Sequence, residues 1–249
     1  MMRHGFVIRK AILTVRRLEA AARFYSSILD SKPEPVPGGL VYRLEAGSEL
    51  VLQHNPQAEK PPPGASGLYH IAFTVDSPGA LRAVLGKLRE MGSLLLGASD
   101  HCFTIALYTL DPEGNGVEVY WDKDEPCRRL VTKPLEPRVL AEAGSPMEYR
   151  ASIGHIHLKV ADLGEAERFY AGVLGMVVTE RGYPGALFFA YGDYHHHVAA
   201  NIWETAWGVR GARPERYAVG LRSYTMKPPG GEAEPGVYRD PAGVEVVIL

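Results

Sequence analysis

His70, Glu118 and His155 are the side chains whose types and placement point most directly to chemistry. Each stands on a stretch that reads as a β-strand, where side chains alternate between two faces. In residues 67–75, Tyr69, Ile71, Phe73 and Val75 make one face, and His70, Ala72 and Thr74 the other. In residues 116–121, Val117 and Val119 oppose Gly116, Glu118 and Tyr120. Around residue 155, Ile156, Leu158 and Val160 oppose His155, His157 and Lys159. A bulky face can pack on a helix. The opposite face mixes small residues with metal-competent groups, which suits a sheet curled around a lined cavity. Taken singly, a strand histidine is more often a satisfied core or surface residue, and a strand glutamate usually faces solvent. Two imidazoles and one carboxylate together form the facial set that leaves open positions on a non-haem metal ion.

An internal repeat supplies the elements that must carry these residues. Residues 10–29 (KAILTVRRLEAAARFYSSIL) align without gaps on residues 155–174 (HIHLKVADLGEAERFYAGVL). Each copy reads as a strand, a turn and an amphipathic helix. DPEG at 111–114 is echoed by DPAG at 240–243, each a turn ahead of a Val-rich strand. The expected fold is α+β, with four βαβββ modules paired into curled mixed β-sheets. Module 1 spans about 6–55, module 2 about 67–122 with its helix near 77–92, module 3 about 153–204 and module 4 about 215–249. The fourth is truncated, because MKPPGGEAEPG is too short and too rich in Pro and Gly for the helix. By domain, residues 1–122 hold an N-terminal pair of modules, 123–152 a connector, and 153–249 a C-terminal pair with the last one degenerate. Lys10 replaces His155 in module 1. Ser223 and Val247 replace His70 and Glu118 in module 4. Modules 1 and 4 therefore cannot build this site, and modules 2 and 3 are expected to pair around it.

Bulk properties narrow the class. The chain has 249 residues, 46% of them hydrophobic, and a formal net charge of -2. That is enough for a sizeable core, and it favours neither nucleic acid nor a membrane surface as partner. No apolar run approaches the ~20 residues of a membrane span, and the N-terminus lacks the apolar stretch of a secretory signal. Cys102 and Cys127 are too few for a disulfide framework or a zinc cluster, so a reducing cytoplasm is the expected compartment. Cys102, beside His101, reads as a buried residue or a soft ligand. Trp203, Trp207 and Tyr224 read as packing residues before pocket residues.

The stretches GLYHIAFTV (67–75), DPEGNGVEVYWD (111–122), IGHIHLKVADLGEAERFYAGVLGM (153–176) and GDYHHHVAANIW (192–203) resemble those of the vicinal oxygen chelate superfamily. That group contains glyoxalases, bleomycin-resistance proteins and extradiol dioxygenases. The likeness covers nearly the whole chain and is strongest to bacterial catechol 2,3-dioxygenases. It implies the paired-module fold and a metal held by His70, Glu118 and His155. Fe(II) is the expected ion, with Mn(II) the alternative. It further implies cleavage of a small aromatic diol by O2 to a ring-opened semialdehyde, and a chain that is often a homo-oligomer. Tyr108, ten residues before Glu118, matches the family's substrate-binding tyrosine. The run His195–His196–His197 matches its acid–base histidine, with His197 the first choice and His196 the second. His101 is a further candidate donor. A glyoxalase-like isomerase and a non-catalytic binding protein of the bleomycin-resistance kind are the competing readings. The first is disfavoured because HHHVAANIW holds no carboxylate before Glu204.

Overall fold

In the computed structural model the chain forms two curled sheets with helices packed on their apolar faces. The structure describes residues 7–123, 127, 130–144, 148–205 and 218–249. Module 1 runs β1 (Ile8–Val15), α1 (Leu18–Leu29), β2 (Glu34–Val36), β3 (Gly39–Arg43) and β4 (Glu49–His54). Module 2 runs β5 (Gly67–Val75), α2 (Pro78–Glu90), β6 (Leu95–Asp100), β7 (Thr104–Leu110) and β8 (Gly116–Asp122). The connector contributes the short β9 (Lys133–Pro134) and α3 (Pro137–Glu142). Module 3 holds β10 (Ala151–Lys159), α4 (Leu163–Glu167, continued by a π-helical turn over Arg168–Val173), β11 (Val177–Glu180), β12 (Ala186–Ala190) and β13 (Val198–Asn201). Module 4 keeps only β14 (Gly220–Met226), β15 (Gly236–Arg239) and β16 (Glu245–Ile248). β2, β6 and β11 bury little, since each is largely exposed or half-buried.

Each sheet draws strands from both sides of the connector. The nine-stranded sheet has the order β11-β12-β13-β10-β5-β8-β7-β6-β9, so modules 3 and 2 meet at the antiparallel pair β10–β5. The seven-stranded sheet, β15-β16-β14-β1-β4-β3-β2, joins modules 4 and 1 at β14–β1. The apolar faces do what their period requires. Ile71, Phe73, Val75, Val117, Val119, Ile156 and Leu158 are buried in one cluster with Leu81, Val84 and Leu88 of α2. Burying each such side chain is worth about 1.5–3 kcal/mol.

Two buried tyrosine–aspartate bonds lock helices onto turns of the next module. Tyr25 of α1 donates to Asp111 Oδ2 at 3.0 Å, and Tyr170 donates to Asp240 Oδ2 at 2.8 Å. Both aspartates begin the DPxG turns, and both tyrosines are repeat-related. Their backbone work is the same. Asp111 Oδ1 accepts from the amides of Glu113 and Asn115, and Asp240 Oδ1 from that of Val244.

The cysteines depart from expectation. Cys102 and Cys127 form a disulfide, so Cys102 is neither a free buried thiol nor a metal ligand, and the argument from cysteine usage to a reducing compartment loses its basis. Two cysteines 25 residues apart in sequence lie on loops that only the folded β6–β7 edge brings together. Among the described residues no helix is long and apolar enough to cross a membrane.

The crosslink joins residues 25 apart in sequence, which destabilises the unfolded chain by about 3.5 kcal/mol of lost loop entropy. Cys127→Ser should therefore lower the urea midpoint under oxidising conditions, and reductant should have no further effect on that variant. Equal midpoints for the two proteins would show that the bond adds no stability.

Candidate metal centre

Two bulges aim the ligand strands. In the β10–β5 ladder the register slips between Ile153 and His155, and again between His157 and Leu158. The first slip leaves Gly154 as an extra residue in β10, and the second leaves Tyr69 as one in β5. Each bulge immediately precedes a candidate ligand, which is how a strand re-aims a side chain next to a site. The Tyr69 bulge also overturns strict alternation, since Tyr69 lines the cavity beside His70 rather than joining the core face. Gly154 is required for a different reason. A Cβ there would lie 1.8 Å from the hydroxyl of Tyr120, a fully buried ring held by Tyr194.

The bulges and the β5–β8 register bring three donor atoms to one point. His70 Nε2 lies 2.9 Å from Glu118 Oε2, His155 Nε2 lies 3.1 Å from the same oxygen, and the two imidazole nitrogens are 3.2 Å apart. All three residues are buried. At metal–ligand bonds of ~2.1 Å, right angles at an ion put donors ~3.0 Å apart and tetrahedral angles ~3.4 Å apart. The observed spacings match the facial set. Hydrogen bonds alone do not account for the cluster, because two imidazole N–H groups facing one oxygen also face each other. The residues present therefore fit a divalent metal with free positions toward the cavity.

The protonation states suit that role. Burial opposes a charge on Glu118, yet the imidazoles of His155 and His70 beside it hold its carboxyl well below the usual carboxylate range. Burial lowers His155 to about 4, leaving it a neutral donor at pH 7. Burial likewise pushes His157 and His196 well below the usual imidazole value.

A cavity of about 230 Å³ opens onto the triad. On one side His101 Nε2 lies 2.7 Å from the Tyr108 hydroxyl, while His101 Nδ1 faces the Val131 carbonyl at 2.9 Å. With Nδ1–H donating to that carbonyl, Nε2 accepts from Tyr108. Burial and the Glu118 charge raise the Tyr108 phenol well above its ordinary value, so it stays protonated. On another side the His196 ring sits 4.2 Å from that of His155. His196 Nδ1 meets His195 Nδ1 at 2.8 Å, and His195 Nε2 meets Asp122 Oδ1 at 3.0 Å.

His197 is placed differently from its sequence expectation. It is buried but does not line the cavity, and its Nδ1 accepts the Tyr191 amide at 3.2 Å. The strand β13 begins only at Val198, and residues 191–197 form a loop. His196, the second choice, and His195 line the cavity instead. His157, Tyr183 and Phe188 also line it and were not singled out from sequence. Only His157 carried a usable signal, as it shares the small-residue face of β10 with His155. Trp203, read as a packing residue, borders the cavity too, and Trp207 lies outside the described residues.

Two outcomes follow from this geometry. Gly154→Ala drives a methyl into Tyr120, so it should cost about 1–3 kcal/mol and reduce metal content; unchanged melting and metal content would contradict the packing argument. His155, His157 and His196 are held neutral by burial, whereas the unfolded chain protonates them near ~6.5. Below that pH the unfolded state binds more protons, so stability falls as pH drops from about 6.5 toward 4. Urea titrations of metal-free protein at pH 7 and pH 5 should show a clearly lower midpoint at pH 5.

Comparisons with known proteins agree with this architecture. A family model described as the Glyoxalase/Bleomycin resistance protein/Dioxygenase superfamily matches residues 7–119. A catechol-2,3-dioxygenase of Bacillus subtilis is 35% identical over 240 residues, covering 89% of this chain and 82% of that protein. A biphenyl-2,3-diol 1,2-dioxygenase of Rhodococcus globerulus is 32% identical over 114 residues, covering 45% of this chain and 60% of that protein. In fold alone, glyoxalase I of Zea mays superposes with a TM-score of 0.60 at 15% identity, over 97% of this chain and 91% of that one. With the curled mixed sheets and their buried triad, these matches establish that the chain belongs to the glyoxalase/bleomycin resistance/dioxygenase superfamily.

Proposed function

We propose that the protein is a non-haem, metal-dependent extradiol dioxygenase that opens a catechol-type ring with O2 to a semialdehyde. The observation that carries this reading is the buried facial set of His70, Glu118 and His155, open to a ring-sized cavity. The 35% identity to a catechol-2,3-dioxygenase supports it. Fe(II) is the proposed ion, with Mn(II) the alternative. When bound, it supplies Lewis acidity toward two vicinal ring oxygens and an electron route between diol and O2.

The chain's own residues have separable tasks. Glu118 and the two imidazoles hold the ion with one negative charge, leaving a net positive centre that favours an ionised diol. His196 is the proposed acid–base group in place of His197, because it stands on the cavity wall beside His155. It takes a proton from a diol hydroxyl and later returns one. His195 and Asp122 orient it through the contact between the two Nδ1 atoms. Tyr108, kept protonated with its O–H on His101 Nε2, turns its oxygen lone pairs to the cavity, where it can accept from a diol hydroxyl and orient the ring. The buried walls exclude bulk water from these transfers.

The glyoxalase-like reading requires a second carboxylate from module 3. Across β5–β8, Ala72 pairs with Glu118; across β10–β13, the equivalent His157 pairs with Ala199. Ala199 therefore stands where that carboxylate belongs, which favours the dioxygenase.

Anaerobic loading with Fe(II), followed by oxygen-electrode assays on a catechol panel, tests the reading. Oxygen uptake with formation of a yellow ring-opened product is expected. His70→Ala should lose both metal and turnover, while His196→Ala should keep the metal and lose about 100-fold or more in kcat. No oxygen uptake by fully loaded protein with any catechol would refute the assignment.

A further inference from the structure

His157 is a buried imidazole on the cavity wall to which the proposed reaction gives no task. The β10–β5 register sets it directly across from His70, and the two rings stand edge to face with centroids 4.8 Å apart. Rings of Tyr69, Trp203 and Phe188 enclose it further, with centroids 5.0, 5.4 and 5.9 Å away. The imidazole is thus held in one orientation beside a candidate ligand without belonging to the donor cluster itself.

A chain of hydrogen bonds decides which of its nitrogens carries the proton. The Trp203 amide donates to Asn201 Oδ1 at 3.2 Å. That fixes the oxygen end of this fully buried side chain, so Asn201 Nδ2 faces His157 Nε2 at 2.9 Å and donates to it. A ring nitrogen that accepts a hydrogen bond bears no proton, so the neutral ring carries its proton on Nδ1. Nδ1 bonds nothing among the described residues. Nor is it sealed in, because the one buried side-chain polar atom lacking a partner among them is His155 Nδ1. The Nδ1–H of His157 therefore opens on the cavity that its ring lines.

Two polar neighbours have the opposite sense. Tyr108 donates its proton to His101, so toward the cavity its oxygen accepts. His195 Nε2–H meets Asp122, which leaves His195 Nδ1 to accept from His196 Nδ1–H, and the remaining Nε2 of His196 is then an acceptor. Both groups can take or orient the protons of a diol. In this state neither offers a hydrogen to an oxygen that has lost its own.

We propose that His157, fixed as the Nδ1–H tautomer by Asn201, is the hydrogen-bond donor to the ionised oxygen of the bound diol, and that Asn201 is its positioning residue. The identity of the ligand rests on the dioxygenase reading; the donor and its tautomer go beyond it. A donor whose proton is in place before the ligand arrives needs no reorganisation when charge forms there. Hydrogen bonds to charged groups are roughly twice as strong as those between neutral ones.

Two measurements test this. Long-range proton–nitrogen NMR on protein with isotope-labelled histidine reads the tautomer directly, the His157 signals being identified by their loss in His157→Phe. Wild type should show the proton on Nδ1. Asn201→Leu should release it, so that a ring protonated on Nε2 appears. Calorimetry of catechol binding to Zn(II)-loaded protein, which performs no O2 chemistry, reads the consequence. His157→Phe keeps a packed ring and removes the donor, so it should weaken catechol binding about 10-fold or more at saturating zinc. Should either variant not fold, the other and the wild-type spectrum decide. A wild-type proton on Nε2, or catechol bound as tightly by His157→Phe as by wild type, overturns the proposal and leaves the dioxygenase reading intact. A proton still confined to Nδ1 in Asn201→Leu overturns the positioning role of Asn201. The expected loss of binding, without oxygen uptake by the Fe(II)-loaded wild type, sinks the dioxygenase reading instead and leaves His157 as the donor.

Discussion

A carboxylate with two imidazoles pressed against one of its oxygens, all buried, is the constraint around which the rest of this molecule is arranged. Glu118 Oε2 lies 2.9 and 3.1 Å from His70 and His155. A buried charge is tolerated only where it is paired or metal-bound. Meeting that demand takes three strands from two modules, and the β5–β10 ladder is the joint that makes them neighbours. One residue of slip in that ladder would put the two histidines on opposite faces of the sheet. The bulges at Tyr69 and Gly154 are therefore as much a part of the site as its ligands.

The second sheet makes the same point by contrast. The β14–β1 ladder slips between Ile8 and Lys10 and between Ile12 and Leu13, so it keeps a pair of bulges beside Lys10 and Ser223. Those positions match His155 and His70. The frame is retained while the chemistry is gone, and Lys10 instead pairs with Glu49 at 3.0 Å. What this half still contributes is mechanical. Tyr25 on Asp111 and Tyr170 on Asp240 tie each helix to the DPxG turn of the following module. The turn after β7 is thereby fixed, and with it the start of the strand that carries Glu118.

The cavity wall depends on less regular structure. His101, Leu130 and Thr132 come from loops beside the Cys102–Cys127 bond, and His195 and His196 from the loop ahead of β13. Segments of this kind tune which molecule enters a family site, because they vary without disturbing the strands that hold the ion.

Strand period, the 10–29 and 155–174 repeat and the DPxG turns were enough to mark out the modules, to single out His70, Glu118 and His155 as candidate ligands, and to pair modules 2 and 3. These features are local, or are read by comparing one module with another, and a pattern of period two survives wherever a strand is regular. Irregular backbone decided what remained. The Tyr69 bulge sent an apolar-face residue into the cavity. The loop at 191–197 put His196, and not His197, on the cavity wall. The Cys102–Cys127 bond and the wall of Tyr183, Phe188 and Trp203 join residues far apart in sequence, and no spacing rule links them. Such contacts exist only once the sheet has curled, so the candidate ligands were legible in the sequence and the shape of the cavity before them was not.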